Sequence, residues 1–331
     1  MNKPFKAIVA VEQEGRSSGT LRDIALTDLP DEDVLVRVSH STINYKDALA
    51  VTGAGKICRR FPMVCGIDLA GTVVESRDPA LPPGQPVLAG GFGLGEKHWG
   101  GFSEYARLNP AWLIAIPPAF SAEQAMAIGT AGFTAMLCVQ SLEAHGVQPD
   151  SGPVVVTGAS GGVGSIAVML LGRLGFHVVA ATGRAASNRD FLTRLGAREI
   201  IERSELARPS KPLESERWAG AIDSVGGETL ATVLAQVRYG GTVAATGLAG
   251  GGGLATTVMP FILRSVTLAG VDSVMRPLVD RVQAWSRLAE LVDQKLLATI
   301  YAVQPLAAIP ELSKQLLGGQ VRGRLVIDVS A

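Results

Sequence analysis

The chain has 331 residues, 47% of them hydrophobic and 18% charged, with a mean hydropathy of +0.28. Such a composition fills one or two packed cores and excludes a disordered chain. Thirty basic residues balance thirty acidic ones and no long single-sign block occurs, which argues against a nucleic-acid or anionic-membrane partner and for a small molecule.

The opening MNKPFKAIVAVEQEG carries too short an apolar run for a signal peptide. With no uninterrupted apolar segment of about 18 residues after it, the expected location is the cytoplasm. Cys58, Cys65 and Cys138 are the three cysteines, without a C-x-x-C spacing and too few for a disulfide framework. They are expected to be buried apolar thiols.

Up to about Ala119 the sequence is made of short alternating runs, KAIVAVEQ, DVLVRVSHSTI, LAGTVVES, QPVLAGG and AWLIAIPP, punctuated by LPD, PPGQ and GFGLGEKHWGGF. This pattern predicts short antiparallel strands around a barrel-like β domain. From Ser121 the texture changes. AEQAMAIGTAGFTAMLCVQSLEAHG predicts a long amphipathic helix, and GPVVVTG, FHVVAATG, AREII, GAIDSV, GTVAATG and VTLAGV then recur as apolar strands, several with helical segments between them. Strands buried on both faces and joined by helices imply right-handed crossovers, so six parallel strands of a doubly wound sheet are expected between about Val154 and Val271. RVQAWSRLAELVDQKL and IPELSKQLLGG predict helices and GRLVIDV a closing strand, a tail expected to return to the first domain. The expected domains are 1–120 with 274–331, β-rich and catalytic, and 121–273, nucleotide-binding.

The stretch VVVTGASGGVGSIAV carries Gly158, Gly161, Gly162 and Gly164 between a strand and a helix. Glycine admits positive φ and lets backbone N–H groups close on a pyrophosphate, whose charge the helix N-terminus favours. The strand–loop–helix context makes this a dinucleotide site, with Ser160, Gly161, Gly162 and Val163 at the phosphates. An NAD site places a carboxylate for the ribose 2′-hydroxyl at the end of the second strand, roughly 20 residues on. Here that strand ends in Thr182-Gly183-Arg184. A hydroxyl, an open backbone and a guanidinium suit a 2′-phosphate, so NADPH is the expected cofactor. Arg203, after the third strand, is a weaker candidate for the same end.

These features, with STINYKDALAVTGAGKICRRFPMVCGIDLAGTV, EKHWGGFSEYAR, GTAGFTAMLCV and YGGTVAATGLAGG, resemble the medium-chain dehydrogenase/reductase superfamily over nearly the whole length. They resemble most its acrylyl-CoA reductase branch, often labelled quinone oxidoreductase. The resemblance implies a GroES-like β-barrel catalytic domain and a Rossmann doubly wound parallel sheet, an α/β fold. Many members hold zinc. In this sequence the family's first cysteine ligand aligns with Asn44, its GHE with Gly66-Ile67-Asp68 and its later cysteine with Thr130, and no four-cysteine cluster is present. No metal is therefore expected.

Without those ligands the site is poorly suited to stabilise the alkoxide of an alcohol, whereas an activated C=C carries its own electron sink in the conjugated carbonyl. The expected reaction is NADPH-dependent reduction of a short 2-enoyl-CoA, acrylyl-CoA to propionyl-CoA. Tyr45, which the resemblance sets beside the nicotinamide, is the first candidate for cofactor contact, pocket wall or proton donor, with water as an alternative donor. Asn44 is a candidate donor to the enolate oxygen, while Lys46 and Asp47 are equally well read as loop anchors. The resemblance also assigns cofactor contacts to Leu248, Ile262, Ser273 and Gln320, each with packing as its alternative. Lys56, Arg59 and Arg60 are candidates for coenzyme A phosphates or a solvated loop face. His98 is read as a packed histidine. The apolar edge VTLAGVDSV needs a partner, and in related enzymes it pairs across a two-fold axis, so a homodimer is expected. A quinone or enone reductase and a non-catalytic NADPH-binding sensor remain the rival readings.

Overall fold

A computed structural model describes residues 4–331. They form two compact units, one running to Thr130 and taking in Val274–Ala289 and Ile300–Ala331, the other made of Ala131–Ser273 and Glu290–Thr299. The first division thus falls ten residues beyond the expected boundary at 120, and 290–299 moves to the second unit. The residues just before the division are tied into the first unit by long-range bonds of the polar cluster described below, from Arg324 to Ala127 and from Thr130 to Asp68.

In the first unit β1 (Phe5–Gln13) and β2 (Arg16–Ile24) pair antiparallel, from Phe5↔Ile24 to Gln13↔Arg16. Positive φ at both turn residues, Glu14 (51°) and Gly15 (74°), matches the twist of a two-residue hairpin. There follow β3 (Val34–Thr42), α1 (Tyr45–Thr52), β4 (Met63–Val64), β5 (Asp68–Ser76), β6 (Pro86–Gly90), β7 (Tyr105–Leu108), β8 (Ile114–Ala115) and α2 (Ala122–Ala144), whose residues from Ala131 on belong to the second unit. β4 joins the hairpin as a third strand, and β3 lies between β5 and β7 in a larger antiparallel sheet. The alternating apolar residues face one core, formed by Ile8, Val36, Val38, Met63, Leu69, Phe102 and Leu108.

The helix α2, expected as a long amphipathic helix, is long and apolar enough to cross a membrane by length and composition. It is instead a core helix, with 83% of its most apolar window buried inside the protein. It is also kinked: Gly129 has φ 49° and ψ −158°, a region essentially confined to glycine.

The second unit carries β9 (Pro153–Thr157), α3 (Gly162–Arg173), β10 (His177–Thr182), α4 (Ala185–Leu195), β11 (Glu199–Glu202), β12 (Trp218–Asp223), α5 (Gly227–Gln236), β13 (Val237–Ala245), α6 (Met259–Arg264) and β14 (Thr267–Gly270). The six strands are parallel in the order β11-β10-β9-β12-β13-β14. Val154, Val155 and Val156 are fully buried, as strands covered on both faces require. The order reverses between β9 and β12, and such a switch point opens a crevice at the carboxyl ends of the strands.

The chain closes with α7 (Leu278–Leu291), α8 (Gln294–Leu297), β15 (Tyr301–Pro305), α9 (Ile309–Leu317) and β16 (Arg324–Asp328). β16 pairs antiparallel with β3 through Val326↔Thr42 and Asp328↔His40, returning the tail to the first unit. β15, parallel to β16, went unseen in the sequence because YAVQP is short and ends in proline.

A Cβ at Gly129 would stand 2.9 Å from the Arg324 guanidinium and the Thr42 methyl and 3.2 Å from Asp68 Oδ2. Gly129→Ala is expected to cost about 2–5 kcal/mol from strain and overpacking together. Gly84→Ala, at φ 88° with no atom within 4 Å, is expected to cost only about 1–2 kcal/mol. Urea unfolding of the two variants checks this, and equal losses would contradict the packing explanation.

Candidate active site

In the first unit, four elements converge on one polar cluster. β3 ends at Thr42 and the chain turns through Asn44 into α1, whose first residue is Tyr45. Asn44 is the helix N-cap and Asp47 closes a capping box, accepting from Asn44 N at 2.8 Å and so satisfying an N–H outside the helix. Asp47 also accepts from Ile67 N at 2.8 Å, tying α1 to the strand entry at β5. β5 opens with Asp68, and the α2 kink turns Thr130 toward it: Thr130 N donates to Asp68 Oδ2 at 3.0 Å and Thr130 Oγ1 to Oδ1 at 2.6 Å. Gly90 completes the wall, since a Cβ there would run into Asp68.

Arg324, first residue of β16, is 4% exposed. Its Nη1 donates to Asn44 Oδ1 at 3.1 Å, Nη2 to Thr42 Oγ1 at 2.8 Å and Nε to Ala127 O at 3.2 Å. Burial pulls its pKa down, while Asp68 and Asp47 oppose the fall. Burial also pushes Asp47 up to about 7, against the pull of its three N–H bonds from Asn44 and Ile67.

Asn44 Nδ2 donates to Asp68 Oδ2 at 2.7 Å and to Asp47 Oδ2 at 3.1 Å. Both amide protons are thereby committed, which corrects the expectation that Asn44 donates to a substrate oxygen: here it is a strut between two carboxylates and a guanidinium. Tyr45 is 42% exposed, and among the described residues no side chain holds its hydroxyl. Neither Asn44, Ile67 nor Thr130 is a zinc ligand, and both Asp68 oxygens already accept hydrogen bonds. The residues at the family's metal position do not fit zinc, and among the described residues no cluster of three or more His, Cys, Asp or Glu is suited to a metal.

Lys46 and Arg59 both approach Glu96, at 3.4 and 3.6 Å, so Arg59 anchors its loop while Lys56 and Arg60 stay exposed. His98 is packed, its ring edge-on to Trp112 and its Nδ1 2.9 Å from Trp99 O; burial lowers its pKa. Cys65 and Cys138 are buried and Cys58 is half-buried. Gln320 is exposed in the turn after α9.

In the second unit the glycine loop is shaped by close approach. A Cβ at Gly164 would strike Gly158 O, and Gly158 itself has φ 60°. Gly161 caps α3, with Gly162 and Val163 as its first residues, and Ser160 Oγ meets Thr182 Oγ1 at 2.9 Å. Gly183 and Arg184 are exposed at the following turn, and a Cβ at Gly183 would stand 3.3 Å from the Arg203 guanidinium carbon. Arg203 therefore covers the turn that sequence reading offered for the 2′ substituent. Leu248 lies in an open depression with Thr246, Gly247, Val271 and Asp272. Ser273 follows directly, whereas Ile262 stands on α6, 70% exposed.

Two acids were missed. Asp223, at the end of β12, is buried; it accepts from Thr157 Oγ1 at 2.6 Å and Gly226 N at 2.7 Å. It braces the crevice at the switch point, and burial raises its pKa. Glu202 ends β11 and accepts from Ala185 N at 3.1 Å. The D-S-V-G-G pattern hinted at the first acid; the second is brought in by strand pairing alone.

Two family models match the chain, one described as an alcohol dehydrogenase GroES-like domain over residues 30–118 and one as a zinc-binding dehydrogenase over residues 162–294. A probable acrylyl-CoA reductase of Escherichia coli (strain K12) is 51% identical over 98% of this chain and 100% of its own. The acrylyl-CoA reductase of Ruegeria pomeroyi is 49% identical over 99% and 100%. The crystal structure of an oxidoreductase from Salmonella enterica in complex with NADP superposes with a TM-score of 0.95 at 51% identity, covering 98% of this chain and 99% of that one.

Asp47 offers a test of the cluster. A carboxyl whose folded pKa lies near 7 against an ordinary 3.8 binds its proton more tightly when folded. Its stabilising contribution is whole below the unfolded value and is lost as pH rises through the folded one. The Tm of the unaltered chain minus that of Asp47→Asn is expected to fall from about pH 4 to about pH 7 and then level off. A difference independent of pH would contradict it.

Proposed function

We propose that this chain, which belongs to the medium-chain dehydrogenase/reductase superfamily, reduces the C=C bond of acrylyl-CoA to propionyl-CoA with NADPH, without a metal. The observation that carries the reading is end-to-end identity of about half to acrylyl-CoA reductases, in a chain that keeps the phosphate-binding glycine loop. NADPH supplies a hydride to the β-carbon. The charge then passes to the thioester carbonyl, and a proton added at the α-carbon balances the reaction, leaving NADP and the saturated thioester.

Each residue acts within what its surroundings allow. The Arg324–Asn44–Asp68 cluster occupies the family's metal position and holds the N-terminus of α1 rigid, which fixes where Tyr45 projects. Tyr45, partly exposed, contacts the nicotinamide or the alkene and is the candidate proton donor. In the other unit Ser160, Gly161, Gly162 and Val163 receive the pyrophosphate, and Thr182, Gly183, Arg184 and Arg203 the 2′-phosphate. Leu248, Ile262, Ser273 and Gln320 are further cofactor contacts. Lys56 and Arg60 are exposed and so available to the phosphates of coenzyme A.

NADPH oxidation with acrylyl-CoA, crotonyl-CoA and a simple quinone as parallel acceptors tests the reading. Fast turnover with acrylyl-CoA is expected, with kcat falling about 100-fold in Tyr45→Phe if the hydroxyl gives the proton. Arg184→Ala is expected to raise the KM for NADPH about tenfold, the scale of one charge-assisted bond. Turnover of the quinone alone would make the protein a quinone reductase. Binding of NADPH with no turnover of any acceptor would make it a sensor.

The cytoplasm is the proposed location and a homodimer the proposed assembly. β14 is an edge strand only partly covered, and α6 exposes Ile262 and Leu263 at 70% and 57%. An unpaired edge of this kind favours addition of a second copy. Light scattering is expected to give twice the 34.5 kDa chain mass, and a single-chain mass would refute the dimer.

A further inference from the structure

We propose that Glu202 is a cofactor-selecting residue, whose carboxylate at the N-terminus of α4 opposes a 2′-phosphate and supports a 2′-hydroxyl on the bound adenosine. The inference rests on the dinucleotide reading above and adds to it a residue that works against the expected cofactor.

The geometry brings an acid to a corner where the second strand supplies none. β10 and β11 are parallel, and Thr182 is paired with Glu202 in the register. The side chain of Glu202 crosses from its own strand end to the next element of its neighbour, accepting from Ala185 N at 3.1 Å. Ala185 is the first residue of α4, directly after the Thr182-Gly183-Arg184 turn. Against the same turn lies the side chain of Arg203, which follows β11 and whose guanidinium would stand 3.3–3.6 Å from a Cβ at Gly183. One acid and two cations therefore meet at the turn that the dinucleotide reading gives to the 2′ substituent.

The free N–H groups of a helix N-terminus ordinarily favour an anion, and here one of them is already taken by Glu202. A 2′-phosphate, with a charge of roughly −2, is drawn by Arg184 and Arg203 but meets the Glu202 carboxylate and competes with it for Ala185 N. A 2′-hydroxyl meets no such repulsion and can donate to the same carboxylate, as an acid on the second strand does in an NAD site. Repulsion of one ligand and support of the other act together on the ratio of affinities. Glu202 thus keeps NADH binding within reach of a site whose cations select NADPH.

The test is fluorescence titration of NADPH and NADH against the unaltered chain, Glu202→Gln and Glu202→Ala, with the Tm of each protein measured alongside. Gln keeps an acceptor for Ala185 N and removes only the charge. The unaltered chain is expected to bind NADPH more tightly. In both variants the ratio of NADH to NADPH dissociation constants is expected to rise about 3- to 10-fold, and the rise to shrink in high salt, where exposed charges are screened. A helix-capping role alone would lower the Tm of Glu202→Ala and leave the ratio unmoved. A ratio within about twofold of the unaltered value in both variants, or a rise in Ala only, overturns the proposal. If the unaltered chain binds neither nucleotide, the dinucleotide reading falls and takes the proposal with it.

Discussion

The first unit depends on a buried guanidinium. Arg324 enters from the last strand and meets hydrogen-bond acceptors from the end of β3, from the N-cap of α1 and from the first turns of α2. A buried cation is tolerated only when its donors are satisfied and opposite charge is near, and Asp68 and Asp47 supply that charge. Breaking one side of such an arrangement costs about 3–5 kcal/mol because the remaining charge is stranded. The cluster therefore fixes three otherwise separate segments against one another, and Gly129 is the concession that makes room for it. A side chain there would occupy the space of the guanidinium, and helical geometry there would turn Thr130 away from Asp68.

The same cluster explains why this member of the superfamily suits a conjugated thioester better than an alcohol. Where relatives place soft metal ligands, this chain places an amide, a hydroxyl and a carboxylate whose lone pairs are already engaged. A fixed hydrogen-bond lattice positions neighbours but offers no strong Lewis acid to an alkoxide. A substrate that delocalises its developing charge into its own carbonyl asks less of the protein, and Tyr45, next to Asn44 and 42% exposed, is the proposed source of a hydroxyl.

The second unit reaches its function by a different route, through the absence of side chains. Gly158 and Gly164 let strand, loop and helix approach so closely that the backbone is shaped for the proposed phosphate cradle, and Asp223 braces the neighbouring strand end through Thr157 and its own following turn through Gly226. At the adenosine corner charge rather than shape decides. In the proposed reading Arg184 and Arg203 set the preference and Glu202 moderates it.

Much of this was legible in the sequence because it depends on local patterns. Apolar runs alternating with helical segments dictate the parallel sheet, the spacing of four glycines after Val156 dictates the phosphate loop, and Asn44, Ile67 and Thr130 at the metal positions speak against zinc by residue type alone. What stayed hidden rests on contacts between residues far apart in the chain. Arg324 lies 280 positions from Asn44, so nothing near either residue announces that the amide is spent on the cluster and cannot serve the substrate. Glu202 reaches the turn after Thr182 only through its register with that residue, and the first unit extends to Thr130, which is bonded to Asp68, 62 positions away. Composition, periodicity and spacing decided which elements form and which chemistry is affordable. Strand pairing and burial decided which polar groups meet, because a hydrogen bond or a charge acts over a few ångströms of space and is indifferent to distance along the chain.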